Sequence, residues 1–156
     1  MSPPHINPVE WIVCERTSRW ASALRMALAR GEMPHRLREL RHLAELDAEL
    51  AARPTALAAI EIHRGNFADL LAWLPTACER HDRARCVALL DRSLADNLDA
   101  ACDALVEAGA PAIATSPRRL DAVIALGTRH AETARTIAEN APLMAQAWAS
   151  LPWQAE

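Results

Sequence analysis

The chain has no lysine and no tyrosine, and all seventeen of its basic residues are arginine. A phosphate-loop lysine, a Schiff-base lysine and lysine ion pairs are therefore excluded. Glycine is nearly as scarce. The four present stand singly at 31, 65, 109 and 127, so there is no glycine-rich cradle for a phosphate. The four cysteines (Cys14, Cys78, Cys86, Cys102) form no C-x-x-C pair and read as reduced thiols rather than zinc or redox groups. No apolar run approaches the roughly 20 residues that span a bilayer. The opening Met1-Ser2-Pro3-Pro4-His5 lacks the basic-then-apolar order of a secretion signal. The expectation is a cytoplasmic protein without membrane contact. A formal charge of −3 gives no general pull toward nucleic acid. No Ser–His–Asp spacing can be argued, so no catalytic residue, no metal and no cofactor is assigned.

What the chain does have is a regular alternation. Strand-like runs stand at Trp11–Cys14, Leu37–Leu40, Leu57–Ile60, Cys86–Leu90 and Ala112–Ala114, all apolar except the second, and each is followed by a segment of helical period. Five strand–helix units in succession mean a parallel sheet covered by helices on both faces. At 156 residues this is one domain with room for a proper core. Residues 1–8, with three prolines, read as an unstructured lead-in. Residues 9–138 carry the five units. Residues 139–156 form a helical tail, which Pro142 is expected to start.

Local signals place the elements. Thr17 or Ser18 can cap the first helix, and Gly31 ends it. The strand His35 to Leu40 carries Arg36 and Arg38, as suits a sheet edge. Leu43, Leu46 and Leu50 mark the second helix. Gly65-Asn66 opens the third, which Pro75 should kink or restart. Leu94, Leu98, Cys102, Leu105 and Val106 stripe the fourth, and the last begins near Arg118.

In a sheet of this kind, ligands and chemistry gather at the C-terminal strand ends. Those positions are Glu15, Arg16, Glu61, His63, Asp91 and Ser116. The order of the five units, the spacing of the first, third and fourth strand ends, and Ala108-Gly109-Ala110 leading through a short strand to Ser116-Pro117 resemble the receiver domain of two-component response regulators. The resemblance covers roughly residues 9–138. It implies a flavodoxin-like (βα)5 sandwich with strand order 2-1-3-4-5 and a role in bacterial signal transduction.

The same resemblance implies what each position once did. The family's acidic pair falls on Glu15 and Arg16. Its phospho-accepting aspartate falls on Glu61, and its Ser/Thr on Asp91, or on Ser93 if the loop is shifted. Its lysine falls on Ser116 and its aromatic switch residue on Ile113. Each change damages phosphoryl transfer. Glu61 is a methylene longer than aspartate, Arg16 puts a cation where Mg²⁺ needs a ligand, and Ser116 has no charge to pair with an acyl phosphate. The expectation is a pseudo-receiver that acts through protein partners. A homodimer through helix 4, strand 5 and helix 5 is among the implied pairings. The rivals are an atypical phosphoacceptor and a flavodoxin-like enzyme or metal-binding domain using the strand-end acids.

Three readings of the strand-end cluster stay open: an Arg16 ion pair with Glu61 or Asp91, a divalent cation held by Glu15, Glu61, Asp91 and His63, or unrelated solvated charges. His63 reads as a hydrogen-bonded loop residue or a ligand, and His130 as a solvated rim residue. Seven arginines and only Glu32 and Glu39 lie between Arg16 and Arg41, a basic area or a solvated face. In the tail, Met144, Trp148, Leu151 and Trp153 are too apolar to lie freely in water. They fold back on the domain or meet a partner.

Overall fold

The computed structural model describes residues 7–151. Trp153 and most of the lead-in lie outside them. Five parallel strands form one sheet in the order β2-β1-β3-β4-β5: β1 (Val9–Cys14), β2 (His35–Leu40), β3 (Leu57–Ile62), β4 (Arg85–Leu90) and β5 (Ala112–Ala114). The helices are α1 (Arg19–Leu28), α2 (Leu46–Ala52), α3 (Phe67–Arg80), α4 (Leu98–Glu107) and α5 (Asp121–Ala149). This is the doubly covered parallel sheet that the alternation implied, in the flavodoxin-like strand order that the resemblance implied.

Strand side chains alternate between two cores. Trp11 and Val13 of β1, Leu57 and Ala59 of β3, and Val87 and Leu89 of β4 face α1 and α5, where Trp20, Leu24, Leu120 and Val123 meet them. Ile12, Cys14, Ala58, Ile60, Cys86, Ala88 and Leu90 face α2, α3 and α4 through Leu46, Leu50, Leu70, Leu74 and Leu105. Each fully buried leucine contributes about 1.5–3 kcal/mol. The alanines on the strands let the helices lie close.

Two glycines are required by geometry. Gly109 ends α4 with φ of 110°, the left-handed turn that side chains resist. At Gly127 of α5 a Cβ would stand 2.5 Å from Trp11 Cζ2, so the helix crosses the indole only because nothing is there. Trp11 Nε1 is itself buried without a hydrogen-bond partner.

Several expected boundaries shift. α3 continues through Pro75 and α5 through Pro142. Both prolines lie on exposed faces, where the carbonyl that each leaves unbonded can reach water. The tail is thus no separate segment: α5 is a single helix of 29 residues. Leu43 and Leu94 sit on short 3₁₀ turns (Leu43–Glu45 and Arg92–Asn97) that precede α2 and α4. α5 starts at Asp121 rather than Arg118 because Arg118 and Arg119 form the turn that closes on Ser116.

Candidate functional site

The strand ends bring together Glu15 and Arg16 after β1, Glu61 near the end of β3, and Asp91 after β4. Glu15 is 3% exposed and Glu61 7%, so neither carboxylate can stay charged without partners. Glu15 finds them in the next helix. Its Oε2 accepts the Trp20 amide at 2.9 Å and its Oε1 the Ala21 amide at 2.8 Å. A carboxylate on the first-turn amides also complements the helix dipole. Burial still pushes the Glu15 acid above its ordinary value, and these two amides hold that rise back. The expected capping by Thr17 or Ser18 is replaced by this one. Ser18 makes no side-chain cap and donates its hydroxyl to Glu39 Oε2 at 2.8 Å.

Arg16 grips Glu61 twice. Its backbone amide donates to Oε2 at 2.9 Å, and Nη2 donates to Oε1 at 3.0 Å. The same Nη2 stands 3.8 Å from Asp91 Oδ2. Asp91 in turn accepts the Ser93 amide at 3.1 Å and caps the 3₁₀ turn that follows β4. That amide bond, more than the distant Arg16, holds the Asp91 acid below its usual range. The Ser93 hydroxyl accepts the Arg64 amide at 3.0 Å.

The loop after β3 is tied by Asn66, which the sequence reading treated only as a helix opening. Its Nδ2 donates to the Glu61 carbonyl at 2.9 Å, and its Oδ1 accepts the His63 amide at 2.8 Å. His63 Nδ1 accepts the Gly65 amide at 3.1 Å, which leaves the proton on Nε2 in the neutral ring. The cavity among Cys14, Glu15, Arg16, Arg41, Glu61, His63 and Asn66 is about 70 Å³, room for a few waters and far below the roughly 300 Å³ of organic-ligand pockets. Burial raises the Cys14 thiol at its rim to about 11 and the Cys86 thiol to about 12, so both are protonated and unreactive near neutrality. No three His, Cys, Asp or Glu side chains are gathered as a metal would need among the described residues.

Among the described residues Ser116 makes no hydrogen bond to the acids. Its hydroxyl accepts the Arg118 amide at 3.3 Å. It lines a separate cleft of about 340 Å³ with Arg19, Arg92, Pro117 and Arg118. None of these three arginines is in an ion pair among the described residues. They come from the first residue of α1, the 3₁₀ turn after β4 and the turn before α5, so no local pattern pointed to them. Ile113 of β5 is half-buried and packs beside the α4 core.

The basic area between Arg16 and Arg41 is mostly neutralised. Arg16 pairs with Glu61, Arg25 and Arg41 with Glu39, Arg36 with Glu10, and Arg38 with Glu49. Glu39 is the hub. Bonds from Ser18, then Arg25 and Arg41, hold its acid below the usual range. His130 is not a free rim residue: its Nε2 bonds the Thr55 carbonyl at 2.8 Å. On the outer half of α5, Met144 is 70% and Trp148 60% exposed, so they do not fold back. Leu151 is half-exposed, and Trp153 lies outside the described residues.

No family model matches the chain, and no curated protein does. Solved structures do. A CheY-like protein (tadZ) from Pseudomonas aeruginosa is 20% identical, with a TM-score of 0.61 over 78% of this chain and 98% of that one. A response regulator from Burkholderia pseudomallei, with a phosphorylated aspartic acid, calcium and citrate, is 19% identical, with a TM-score of 0.57 over 82% and 71%. A pilus assembly-related protein from the same organism is 19% identical, with a TM-score of 0.56 over 83% and 96%. The fold is that of CheY-like receiver domains. No helix among the described residues is long and apolar enough to cross a membrane.

Proposed function

We propose that this receiver fold works as a pseudo-receiver in bacterial signal transduction, passing its signal by protein contact rather than by phosphoryl transfer. One observation carries the reading. Both oxygens of Glu61, at the position where such domains accept phosphate, are held by Arg16. A phosphoacceptor must offer a free carboxylate oxygen beside a metal ion. Here that oxygen faces a guanidinium, which repels the metal and occupies the acceptor. Glu15 and Asp91, the other oxygen donors, are committed to α1 and to the turn after β4. The space at Glu15, Glu61 and His63 themselves, about 70 Å³, also speaks against an enzyme that works on an organic substrate with these groups.

The protein then has one resting surface for a partner in the cytoplasm to read. The deciding measurement is backbone-amide NMR during a Mg²⁺ titration, with and without beryllofluoride. Beryllofluoride mimics the acyl phosphate and needs both the metal and a free carboxylate. We expect no saturable shift at residues 15, 61 and 91. Saturable shifts there that spread to β5 would restore a working phosphoacceptor and end the pseudo-receiver reading. Shifts with Mg²⁺ alone would mark a metal site.

A further inference from the structure

α5 has two halves that differ in what they touch. Val123 and Gly127 are buried against the sheet, and His130 bonds the Thr55 carbonyl. From residue 135 to 149 every position is exposed. That outer half extends about 22 Å from the domain. Isolated helices of this length are marginal in water, and this one displays Ile137 at 61%, Met144 at 70% and Trp148 at 60% exposure.

One stripe runs the length of the helix, with the exposed Leu143 lying off it. Val123, Gly127, His130, Ala134, Ile137, Ala141, Met144, Trp148 and Leu151 are separated alternately by four and three residues. The same seam that packs on the sheet therefore runs on into solvent. Alternating four-and-three spacing keeps one stripe on a single helix face, and where the sheet ends it matches the register of two paired helices. Ala134, Ala141 and Trp148 take the a positions, and Ile137 and Met144 the d positions, with Leu151 following on the same side two residues past the helix end.

We propose that a second copy of this chain covers this seam, as an antiparallel pair of α5 helices. Three observations select that occupant. The flanking e and g positions (Thr133, Ala138, Asn140, Ala145 and Ala147) carry no charge. Nothing there repels an identical helix, and nothing there chooses a different one by ion pairing. The charges that this stretch does have lie on the far side, where Arg135 Nε and Glu139 Oε1 pair at 3.6 Å. Pro142 is on that far side too. With Arg135 its only cation, the exposed half lacks the basic face of a membrane-surface helix.

The third observation is volume. A parallel pair would set alanine on alanine at two layers and tryptophan on tryptophan at a third. An antiparallel pair sets Ala134 opposite Leu151 of the second copy, Ala141 opposite Met144, and Ile137 opposite Trp148. Small then meets large at the two central layers of four, and again where Ala134 meets Leu151 just past the end of the second helix, which fills space evenly. The pairing does not depend on the strand-end acids, and it uses a surface other than that of α4, β5 and the sheet-bound half of α5.

The test is sedimentation of the full chain at micromolar concentration. We expect twice the 17.1 kDa chain mass, and the single-chain mass for Met144→Glu. Met144 is exposed in the isolated chain, so its domain should keep an unchanged urea midpoint. Val106→Glu, on the exposed face of α4, should leave the dimer intact. A chain that stays single, or a dimer lost with Val106→Glu and kept with Met144→Glu, would overturn the proposal. Orientation is read by mixing Ala141→Cys chains with Met144→Cys chains under mild oxidation. The mixed disulfide should form faster than either homodimeric one. Preferred Ala141→Cys homodimers would show a parallel pair and overturn the arrangement.

Discussion

Arg16 holds Glu61 through two different kinds of donor, its backbone amide at 2.9 Å and its guanidinium at 3.0 Å. The first belongs to the chain path after β1 and survives any substitution except proline. The second belongs to the side chain, which is 56% exposed. The two can be separated by experiment.

Arg16→Ala should therefore cost only about 1 kcal/mol in urea unfolding, because the exposed half of the interaction is screened by water and the amide still bonds Glu61. Arg16→Asp adds an oxygen ligand in place of the cation. It should bring weak Mg²⁺-dependent amide shifts at residues 15, 61 and 91 where the wild type has none. An unresponsive Arg16→Asp protein would show that Arg16 is not what blocks the metal.

Glu15 should leave its mark on stability as a function of pH. Its acid titrates above the ordinary value in the folded chain, so the folded state binds the proton more tightly than the unfolded one. Its contribution is thus present below the ordinary carboxylate value and lost as pH rises through the raised one. Glu39 and Asp91 run the other way. Their contribution holds above the ordinary values and is lost as pH falls through the lowered ones. Wild type minus Glu15→Gln, by urea unfolding at several pH values, should therefore be most favourable to wild type in acid and shrink upward. A difference that grows with pH would contradict the assignment.

Gly127→Ala should destabilise the domain by roughly 1–3 kcal/mol, the usual cost of overpacking a core, since its methyl would strike Trp11. Trp11→Phe removes both the ring edge at fault and the unpartnered Nε1 proton. Adding Gly127→Ala to Trp11→Phe should then cost clearly less than adding it to the wild type. Equal costs in both backgrounds would mean that the contact with the indole is not the cause.

Pro142→Ala should strengthen the outer half of α5 alone. The substitution restores a helical amide, a local gain of up to about 3 kcal/mol. Amide exchange between residues 135 and 149 should slow, while the urea midpoint of the sheet domain stays put. A shift of that midpoint would show that the outer helix is coupled to the core.

The strands were legible because their apolar runs are local, and the strand order followed from the family resemblance. β2 declared itself an edge by Arg36 and Arg38, and the structure pairs both with acids. The helix boundaries were less legible where proline spoke loudest. Pro75 and Pro142 signal interruption wherever they stand, and only the exposed face that each occupies permits the helix to continue. The role of Glu15 was hidden, because a carboxylate four residues ahead of its helix resembles any loop charge. One of the offered readings of Arg16 matches the geometry, whereas the Arg19–Arg92–Arg118 cleft depends on three separate segments meeting and leaves no trace in any one of them.

The acids at the strand ends have not been erased; each has been hired elsewhere. Glu15 secures the start of α1, Asp91 shapes the turn after β4, and Glu61 anchors the backbone after β1. An engineer who wished to install a phosphate switch would have to supply new anchors for all three before freeing them. Reactivity and foldedness compete here for the same oxygen atoms.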